Sequence, residues 1–441
     1  MKNNKIDRRK FVKQTAAVTG GLMAVPFAAS AGFYAEKAPA PIRVALVGCG
    51  GRGTGAAVQA LQAHADVKLV AMADAFRDRL ESSLTNIKGE IDNAQSRVDV
   101  PESRKFVGFD AYEKAIKEAD VVILTTPPGF RPIHFKEAVK QGKHVFMEKP
   151  VATDPAGIQS VLETAKEARQ KKLNVIVGLQ RRYQNSYLEL LKRYQDGMIG
   201  DITSAQVYWN SRGVWVRERK PSQNEMEYQM RNWYYFNWLC GDHIVEQHIH
   251  NMDVVNWFKQ DYPTHAQGMG GRTVRVGPDY GEIFDHHFVE YHYGDGVVMN
   301  SQCRHQPKTM SRVDEVITGS KGRIHFGAAK IEDLDGKVLY EFDKSKENNP
   351  YQTEHDVLFD AISKGEYKFD DTDHGAYTTL TAIVGRLATY SGQIVNQQTA
   401  LQSGLSIQPE EYAWDATPPV LPGKNGLYPC AVPGETSYFN T

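Results

Sequence analysis

From residue 42 onward, short apolar runs alternate with stretches in which apolar residues recur at helical spacing. Helical spacing is clear in RPIHFKEAVKQGK (131–143), which separates two of the apolar runs. Strands that alternate with helices predict a parallel sheet with helical crossovers. The four predicted strands are IRVALVG (42–48), VKLVAMAD (67–74), DVVILTTPP (120–128) and HVFMEKP (144–150).

A different pattern follows a predicted helix near residues 154–171. NVIVGLQ (174–180) begins a series of closely spaced strands, and Gly-Asp-Gly at 294–296 marks a hairpin. A long helix is predicted over about residues 373–396, and a segment rich in Pro, Gly and aromatic residues follows it. The predicted fold class is therefore α/β, with a parallel-sheet domain at 41–155, an α+β domain with a large, mainly antiparallel open sheet at 156–405 and a coil tail at 406–441.

The N-terminal 35 residues have the features of an export signal. Arg8 and Arg9 precede an apolar run of about 15 residues, which is too short to span a bilayer. A twin arginine in this position is typical of the label for proteins that cross a membrane already folded. We therefore predict passage through the twin-arginine export machinery and a periplasmic or exported location, with cleavage after Ala31 or Ala35 equally plausible. The alternative is a disordered N-terminus that contains two arginines by chance.

Composition excludes several classes of partner. The 441 residues carry a formal net charge of -1, with 41% hydrophobic and 24% charged residues. A near-neutral balance gives no electrostatic basis for binding nucleic acid, or a membrane once the signal is removed. The four cysteines, Cys49, Cys240, Cys303 and Cys430, show neither a zinc pattern nor a disulfide framework.

A glycine pattern after the first strand predicts a dinucleotide site. Gly48-x-Gly50-x-x-Gly53 lies between a strand and a helix, so the helix N-terminus can face a pyrophosphate. Asp74 ends the second strand, where a carboxylate can accept the ribose hydroxyls of NAD and disfavour the extra phosphate of NADP. Arg52 and Arg77 are nearby cations that would soften this preference, so NADP stays open. Gly51 and Arg52 complete the predicted loop contacts in this N-terminal Rossmann dinucleotide-binding domain. The alternative interpretation of the glycine pattern is a purely structural turn.

TTPPGFRPIHFKEAVKQGKHVFMEKPVA (125–152) closely resembles the Gfo/Idh/MocA oxidoreductases, named for glucose–fructose oxidoreductase and inositol dehydrogenase. VGLQRRY (177–183), GMIGDI (197–202) and ITGSKGRIHF (317–326) extend the resemblance to about residues 42–400. It implies a Rossmann domain followed by an α/β domain whose open sheet holds substrate over the nicotinamide. The implied cofactor contacts in this stretch are Thr125, Pro127, His134, Glu148 and Lys149.

The same resemblance implies that Lys149 contacts the substrate hydroxyl that loses its proton. An amine in this position can act as a base or as a hydrogen-bond relay. Glu246 and His250 are four residues apart, so they share one face of a predicted helix, with His243 a turn earlier. Family members usually carry Asp where this chain has Glu246. We predict catalytic roles for Lys149, Glu246 and His250, with His250 as the proton shuttle and Glu246 as the group that orients one of its neighbours.

The predicted substrate contacts are Lys149, Arg182, Tyr183, His243, Glu246 and His250. Two alternatives apply to the histidine helix. His243, Glu246 and His250 have the ligand types of a metal site, but they match no established zinc motif, so we predict no metal. The histidines can also simply pack at a domain interface.

An exported protein has little access to NAD, so a cofactor enclosed during folding would explain the export signal. This predicts a tightly bound cofactor that is regenerated in place. The favoured function is oxidation of a ring hydroxyl of a sugar or glycoside. The alternatives are a glycosidase that oxidises its substrate transiently, as in glycoside hydrolase family 109, and a non-catalytic cofactor-binding protein. By analogy with the family, the open sheet predicts a homo-oligomer.

Overall fold

The computed structural model describes residues 40–439. The predicted twin-arginine signal lies outside the described residues. Within residues 40–439, no helix is both long and apolar enough to cross a membrane.

The N-terminal sheet has six parallel strands in the order β3-β2-β1-β4-β5-β6. Both faces of β1 and β4 are buried because their residues are almost all apolar. The strands are β1 (Ile42–Val47), β2 (Val67–Asp74), β3 (Lys105–Val107), β4 (Val121–Leu124), β5 (His144–Met147) and β6 (Val175–Val177). The crossover helices are α1 (Gly51–Ala63), α2 (Arg77–Glu90), α3 (Ala94–Arg97), α4 (Ala111–Lys117), α5 (Arg131–Lys140) and α6 (Pro155–Gln170).

The parallel sheet extends beyond the predicted domain boundary at residue 155. Helix α6 begins where Asp154 accepts a hydrogen bond from the Gly157 N–H, and it crosses over to β6. Strand β6 lies within the segment 174–180 that was predicted to begin the second domain. It pairs instead with β5 in the first sheet, because Val175, Ile176 and Val177 form a fully buried apolar run.

The second sheet has nine strands in the order β14-β13-β12-β11-β7-β10-β9-β8-β15. Its pairs are antiparallel except β7–β10, which confirms the predicted mainly antiparallel sheet. The strands are β7 (Ile202–Ser211), β8 (His265–Gly271), β9 (His286–His292), β10 (Val298–His305), β11 (Arg312–Gly319), β12 (Gly322–His325), β13 (Lys330–Asp333), β14 (Val338–Glu341) and β15 (Val395–Asn396).

Helices cover one face of this second sheet. Buried residues alternate with half-exposed ones along β9 and β10, so only one face of these strands is enclosed. The long helix, predicted over 373–396, ends five residues earlier because Gly392 adopts φ +71°. The helices are α7 (Asn185–Gln195), α8 (Glu225–Arg231), α9 (Asn237–Cys240), α10 (His243–Glu246), α11 (Ile249–Lys259), α12 (Pro350–Ser363), α13 (Thr372–Ser391) and α14 (Gln397–Gln402).

Two late segments return to the N-terminal sheet. Helix α12 packs against α1, and its Leu358 and Phe359 join the core formed by β1 and β2. Residues 403–439 contain neither helix nor strand. In this tail the Trp414 ring lies 5.1 Å from the ring of Phe76 and 4.6 Å from that of Phe109. The nucleotide-binding fold is therefore completed by distant parts of the chain.

Candidate functional site

The carboxyl ends of four parallel strands bring the predicted cofactor residues to one edge. Gly48 follows β1, Asp74 ends β2, Thr125 follows β4 and Lys149 follows β5. A cleft of about 540 Å³ opens at this edge, where strand order reverses between β1 and β4. Eight of the predicted cofactor residues line it: Gly48, Gly50, Gly51, Arg52, Asp74, Thr125, Pro127 and His134.

The glycines of the loop divide between packing and open space. Gly48 has φ +98°, and a Cβ there would lie 2.4 Å from the Thr126 nitrogen. A Cβ on Gly53 would lie 2.0 Å from the Gly48 oxygen, so Gly53 allows α1 to approach the turn. By contrast, a Cβ on Gly50 or Gly51 would meet no atom within 4 Å. These two residues therefore leave open space at the start of α1. The loop can accommodate a pyrophosphate in that space.

Asp74 is held by the backbone on both oxygens. It accepts hydrogen bonds from the N–H of Cys49 at 2.6 Å and of Phe76 at 2.8 Å. Burial raises the pKa of Asp74, and the two N–H groups oppose that rise. Since a carboxylate has about four acceptor positions, it can still accept ribose hydroxyls. Arg79 lines the cleft beside it, whereas Arg77 pairs with carboxylates outside the cleft.

Arg52 is tied to two carboxylates at the floor of the cleft. Its Nε lies 2.5 Å from Glu148 Oε1, and its Nη2 lies 3.4 Å from Glu354 Oε1. Glu354 is fully buried, and burial followed by the charge of Glu148 raises its pKa well above the ordinary value. Glu148 itself is not among the residues that line the cleft, but it pairs with Arg52, which is.

Thr125 and His134 support the turn from the neighbouring strand. Thr125 Oγ1 donates to the Gly48 oxygen at 2.6 Å, which fixes the glycine turn. His134 Nδ1 lies 3.1 Å from Thr126 Oγ1, and burial lowers the pKa of His134 to about 3. A neutral imidazole is therefore present at this wall of the cleft.

Lys149 reaches from the first sheet to the second domain. Its Nζ donates to the backbone oxygen of Glu246 at 2.8 Å, and it lies 3.4 Å from Glu246 Oε1. The exposed fractions of the two side chains are 12% and 15%. The structure thus brings together two of the three predicted catalytic residues at the junction of the domains.

His250 is a buried, neutral imidazole close to this pair. Burial lowers its pKa well below the ordinary value, and the charges of Lys149, Arg181 and Arg52 lower it further. Nδ1 has no hydrogen-bond partner among residues 40–439. The Trp209 ring stacks over the imidazole at 6.1 Å. His250 can therefore accept a proton near Lys149.

Three predicted substrate residues have other contacts. His243 is fully buried and stacks on His305 at 4.2 Å, beneath the second sheet. Arg182 makes two 2.8 Å hydrogen bonds to Asp253, and the Tyr183 hydroxyl donates to Asp371 at 2.8 Å. These groups are therefore already paired or enclosed within the protein, and their contacts with a substrate stay a prediction.

The second domain supplies one wall of the cleft. Trp215, Arg217, Arg231 and Trp233 come from the second domain and face the nucleotide loop. The Arg231 guanidinium lies 4.0 Å from the centroid of the Phe76 ring. Arg231 and Phe76 are 155 positions apart, and no local periodicity signals their contact.

Comparison with known proteins gives a match over the parallel-sheet domain. Residues 42–178 match the model of the Gfo/Idh/MocA oxidoreductase family with an NAD-binding Rossmann fold. This family is NAD-binding, which confirms the predicted cofactor.

The relatives of this chain differ in their described activities. It is 23% identical over 336 residues to an inositol 2-dehydrogenase of Rhizobium meliloti, covering 74% of this chain and 89% of that protein. It is 26% identical over 216 residues to a glycosyl hydrolase family 109 protein of Streptomyces coelicolor, covering 44% of this chain and 43% of that protein. The chain thus spans less than half the length of the second relative.

Solved structures share the fold across both domains. Scyllo-inositol dehydrogenase of Lactobacillus casei, crystallised with NAD(H) and scyllo-inositol, aligns with a TM-score of 0.61 and 18% identity. Aldose–aldose oxidoreductase of Caulobacter crescentus aligns with a TM-score of 0.61 and 16% identity. Each alignment covers 81% of this chain and 99% of the neighbour, which confirms the predicted fold class.

Proposed function

We propose that this protein oxidises a ring hydroxyl of a sugar, glycoside or cyclic polyol to a ketone, with NAD as the hydride acceptor. The observation that carries the proposal is the position of Lys149. It lies at the strand edge that forms the nucleotide cleft, and it contacts Glu246 from the second domain. An ammonium group that lies between the cofactor-binding domain and the substrate-binding domain is suited to donate a hydrogen bond to the substrate oxygen.

Lys149 and His250 have separate roles in the transfer of the hydroxyl proton. An ammonium has three N–H donors, and Lys149 directs its contacts at two oxygens of Glu246, which leaves a donor for the substrate oxygen. His250 is neutral and can accept the hydroxyl proton. The Glu246 carboxylate balances the charge of Lys149. NAD, when bound, supplies the acceptor for the hydride.

A ring-shaped substrate is supported by Trp209. Its indole stacks on His250, so an apolar surface adjoins the proton acceptor. Aromatic faces pack well against the C–H groups of sugar and cyclitol rings. The relatives named as inositol dehydrogenases support the same substrate class.

The test is to assay the purified protein with inositols, aldoses and glycosides while following NADH and keto products. We expect a keto product from at least one ring polyol. Lys149→Met should lower the rate constant by about 10²–10⁴-fold. The matched control is Lys140→Met, because Lys140 is 71% exposed and pairs with Glu137 on the surface. Equal rates for both variants would remove Lys149 from the mechanism.

A glycosidase with transient oxidation is the second candidate, supported by the relatives named as family 109 glycosyl hydrolases. Oxidation of the C3 hydroxyl to a ketone would acidify the C2–H, so that its removal expels the aglycone. Water would then add to the resulting double bond before the ketone is reduced again. Chromogenic glycosides separate the two functions. Release of the aglycone with no added acceptor and no net NADH would favour the glycosidase.

We further propose that NAD is held tightly and that the protein is exported with it. The second-domain wall with Trp215 and Trp233, together with Trp414 packed on Phe76, supports retention, because a nucleotide there is enclosed by distant segments. Protein recovered from the periplasm should retain NAD through gel filtration. Rapid exchange with labelled free NAD would contradict tight binding.

A further inference from the structure

A cluster of buried polar side chains lies away from the nucleotide cleft, at the start of α10. Asp242 and His243 precede and begin this helix, and His287 reaches them from β9. All three side chains have 0% exposure. One ligand atom from each lies within 4.8 Å of the others. Two imidazoles and a carboxylate are a recurrent set of ligands for divalent metals.

The distances in the cluster are close to those of a metal site. His287 Nε2 lies 3.3 Å from Asp242 Oδ2, and His243 Nε2 lies 3.7 Å from Asp242 Oδ1. Ligands about 2.1 Å from a tetrahedral zinc ion are about 3.4 Å apart. The two distances run to different oxygens of Asp242, so one ion would be held by both carboxylate oxygens or after a rotation of the carboxylate.

The contacts of His287 orient its ring toward the carboxylate. His287 Nδ1 lies 2.9 Å from Thr389 Oγ1, and Nε2 on the other side of the ring lies 3.3 Å from Asp242 Oδ2. The ionised Asp242 side chain has only acceptor atoms. Either a proton or a cation must lie between them.

His243 distinguishes a cation from a proton. Neither of its ring nitrogens has a hydrogen-bond partner within residues 40–439. A protonated His287 would satisfy Asp242 but leave His243 with both nitrogens unpartnered in a buried position. One cation between them would contact His243, His287 and Asp242 at once. Buried polar groups without partners are rare and call for such an explanation.

We propose that Asp242, His243 and His287 bind one divalent cation of the zinc class. This set differs from His243, Glu246 and His250, because the structure directs Glu246 to Lys149 instead. Surrounding contacts hold the proposed ligands in place, as is usual at metal sites. Asp242 accepts from the Tyr390 hydroxyl at 2.5 Å and from the Phe284 N–H at 3.0 Å.

The proposed ion would fix the beginning of α10. That helix is four residues long and ends at Glu246, the partner of Lys149. The site thus serves to hold the junction between the domains and has no direct contact with the nucleotide cleft. This role predicts that loss of the ion lowers thermal stability more than it lowers NAD content.

The first experiment measures the metal content of the full chain after purification in chelator-free buffer. We expect about one zinc-class ion per chain. After removal by a chelator, Co²⁺ added to the wild-type protein should give the visible absorption bands of a four-coordinate site. A metal-free preparation that gives no such bands with Co²⁺ would overturn the proposal and leave an Asp242–His287 ion pair. NAD content is measured in the same samples, so failure of the cofactor proposal is seen separately.

Variants then test the ligands. Asp242→Asn and His287→Gln should each lower metal content by about tenfold or more. The matched control is His286→Gln, whose side chain is next on β9, faces the opposite side and is 37% exposed. Unchanged metal content in both ligand variants would refute the assignment. If either variant does not fold, the Co²⁺ titration of the wild-type protein decides alone.

Discussion

Gly53→Ala and Gly50→Ala are expected to separate folding stability from cofactor binding. A methyl group on Gly53 would lie 2.0 Å from the Gly48 oxygen and 2.5 Å from Thr125 Oγ1. Relief of these contacts requires α1 or the turn to move by about 1 Å or more, since carbon contacts are optimal at about 3.5–4.0 Å. Overpacking of this kind costs about 1–3 kcal/mol, which predicts a fall in Tm of about 1–4 °C for a chain of this length.

Gly50→Ala should have the opposite effect. Its methyl group meets no atom within 4 Å, so the fold has room for it and Tm should change by less than about 2 °C. The group would instead occupy space at the start of α1 that a pyrophosphate needs. We expect NAD affinity to fall about tenfold to a hundredfold, equivalent to about 1.4–2.7 kcal/mol.

Thermal unfolding of nucleotide-free protein and calorimetric titration with NAD measure the two effects. Gly89→Ala is the matched control, because its methyl group also meets no atom within 4 Å but lies in α2, outside the cleft. Wild-type NAD affinity in Gly50→Ala would refute the pyrophosphate assignment. Wild-type Tm in Gly53→Ala would refute the packing argument.

Three further predictions concern the cleft and the buried histidines. Asp74→Ala should weaken NAD binding more than NADP binding, because the ribose loses an acceptor; the opposite order in parallel titrations would reverse the cofactor preference. His250→Gln should lower kcat by about 10²–10⁴-fold at unchanged NAD content, and a kcat within tenfold of wild type would exclude His250 as the proton acceptor. Burial lowers the pKa of His134 and of His355 to about 3, so the unfolded chain takes up their protons first as pH falls. Between pH 7 and pH 5 each histidine should therefore reduce the free energy of unfolding by about 2 kcal/mol, and equal urea midpoints at both pH values would contradict this.

Local patterns predicted the parts of the fold that local forces determine. Strand β2 was predicted over its observed range because eight residues from Val67 to Asp74 combine an apolar run with an acid at its end. Strand β3 has three residues, too few for a periodic signal. The segment of β6 was predicted as part of the second sheet, but its three residues pair with β5 in the first.

The site was predicted less completely because its contacts are distant in sequence. Helical spacing placed His243 and Glu246 on one face, but α10 ends at Glu246 and the two side chains have separate surroundings. The pairing of Arg182 with Asp253 joins residues 71 positions apart. A sequence pattern identifies a charged residue at a strand end without showing which distant partner has already neutralised it.

The return of α12 to the nucleotide-binding fold has a consequence for engineering. Leu358 and Phe359 complete its core, and Glu354 supplies a partner for Arg52. A fragment that stops at residue 178 would expose to water the apolar surface that Leu358 and Phe359 cover. It would also remove Glu354, one of the two carboxylate partners of Arg52. A chimera that replaces the second sheet of this protein should therefore keep residues 350–363 together with the N-terminal nucleotide-binding domain.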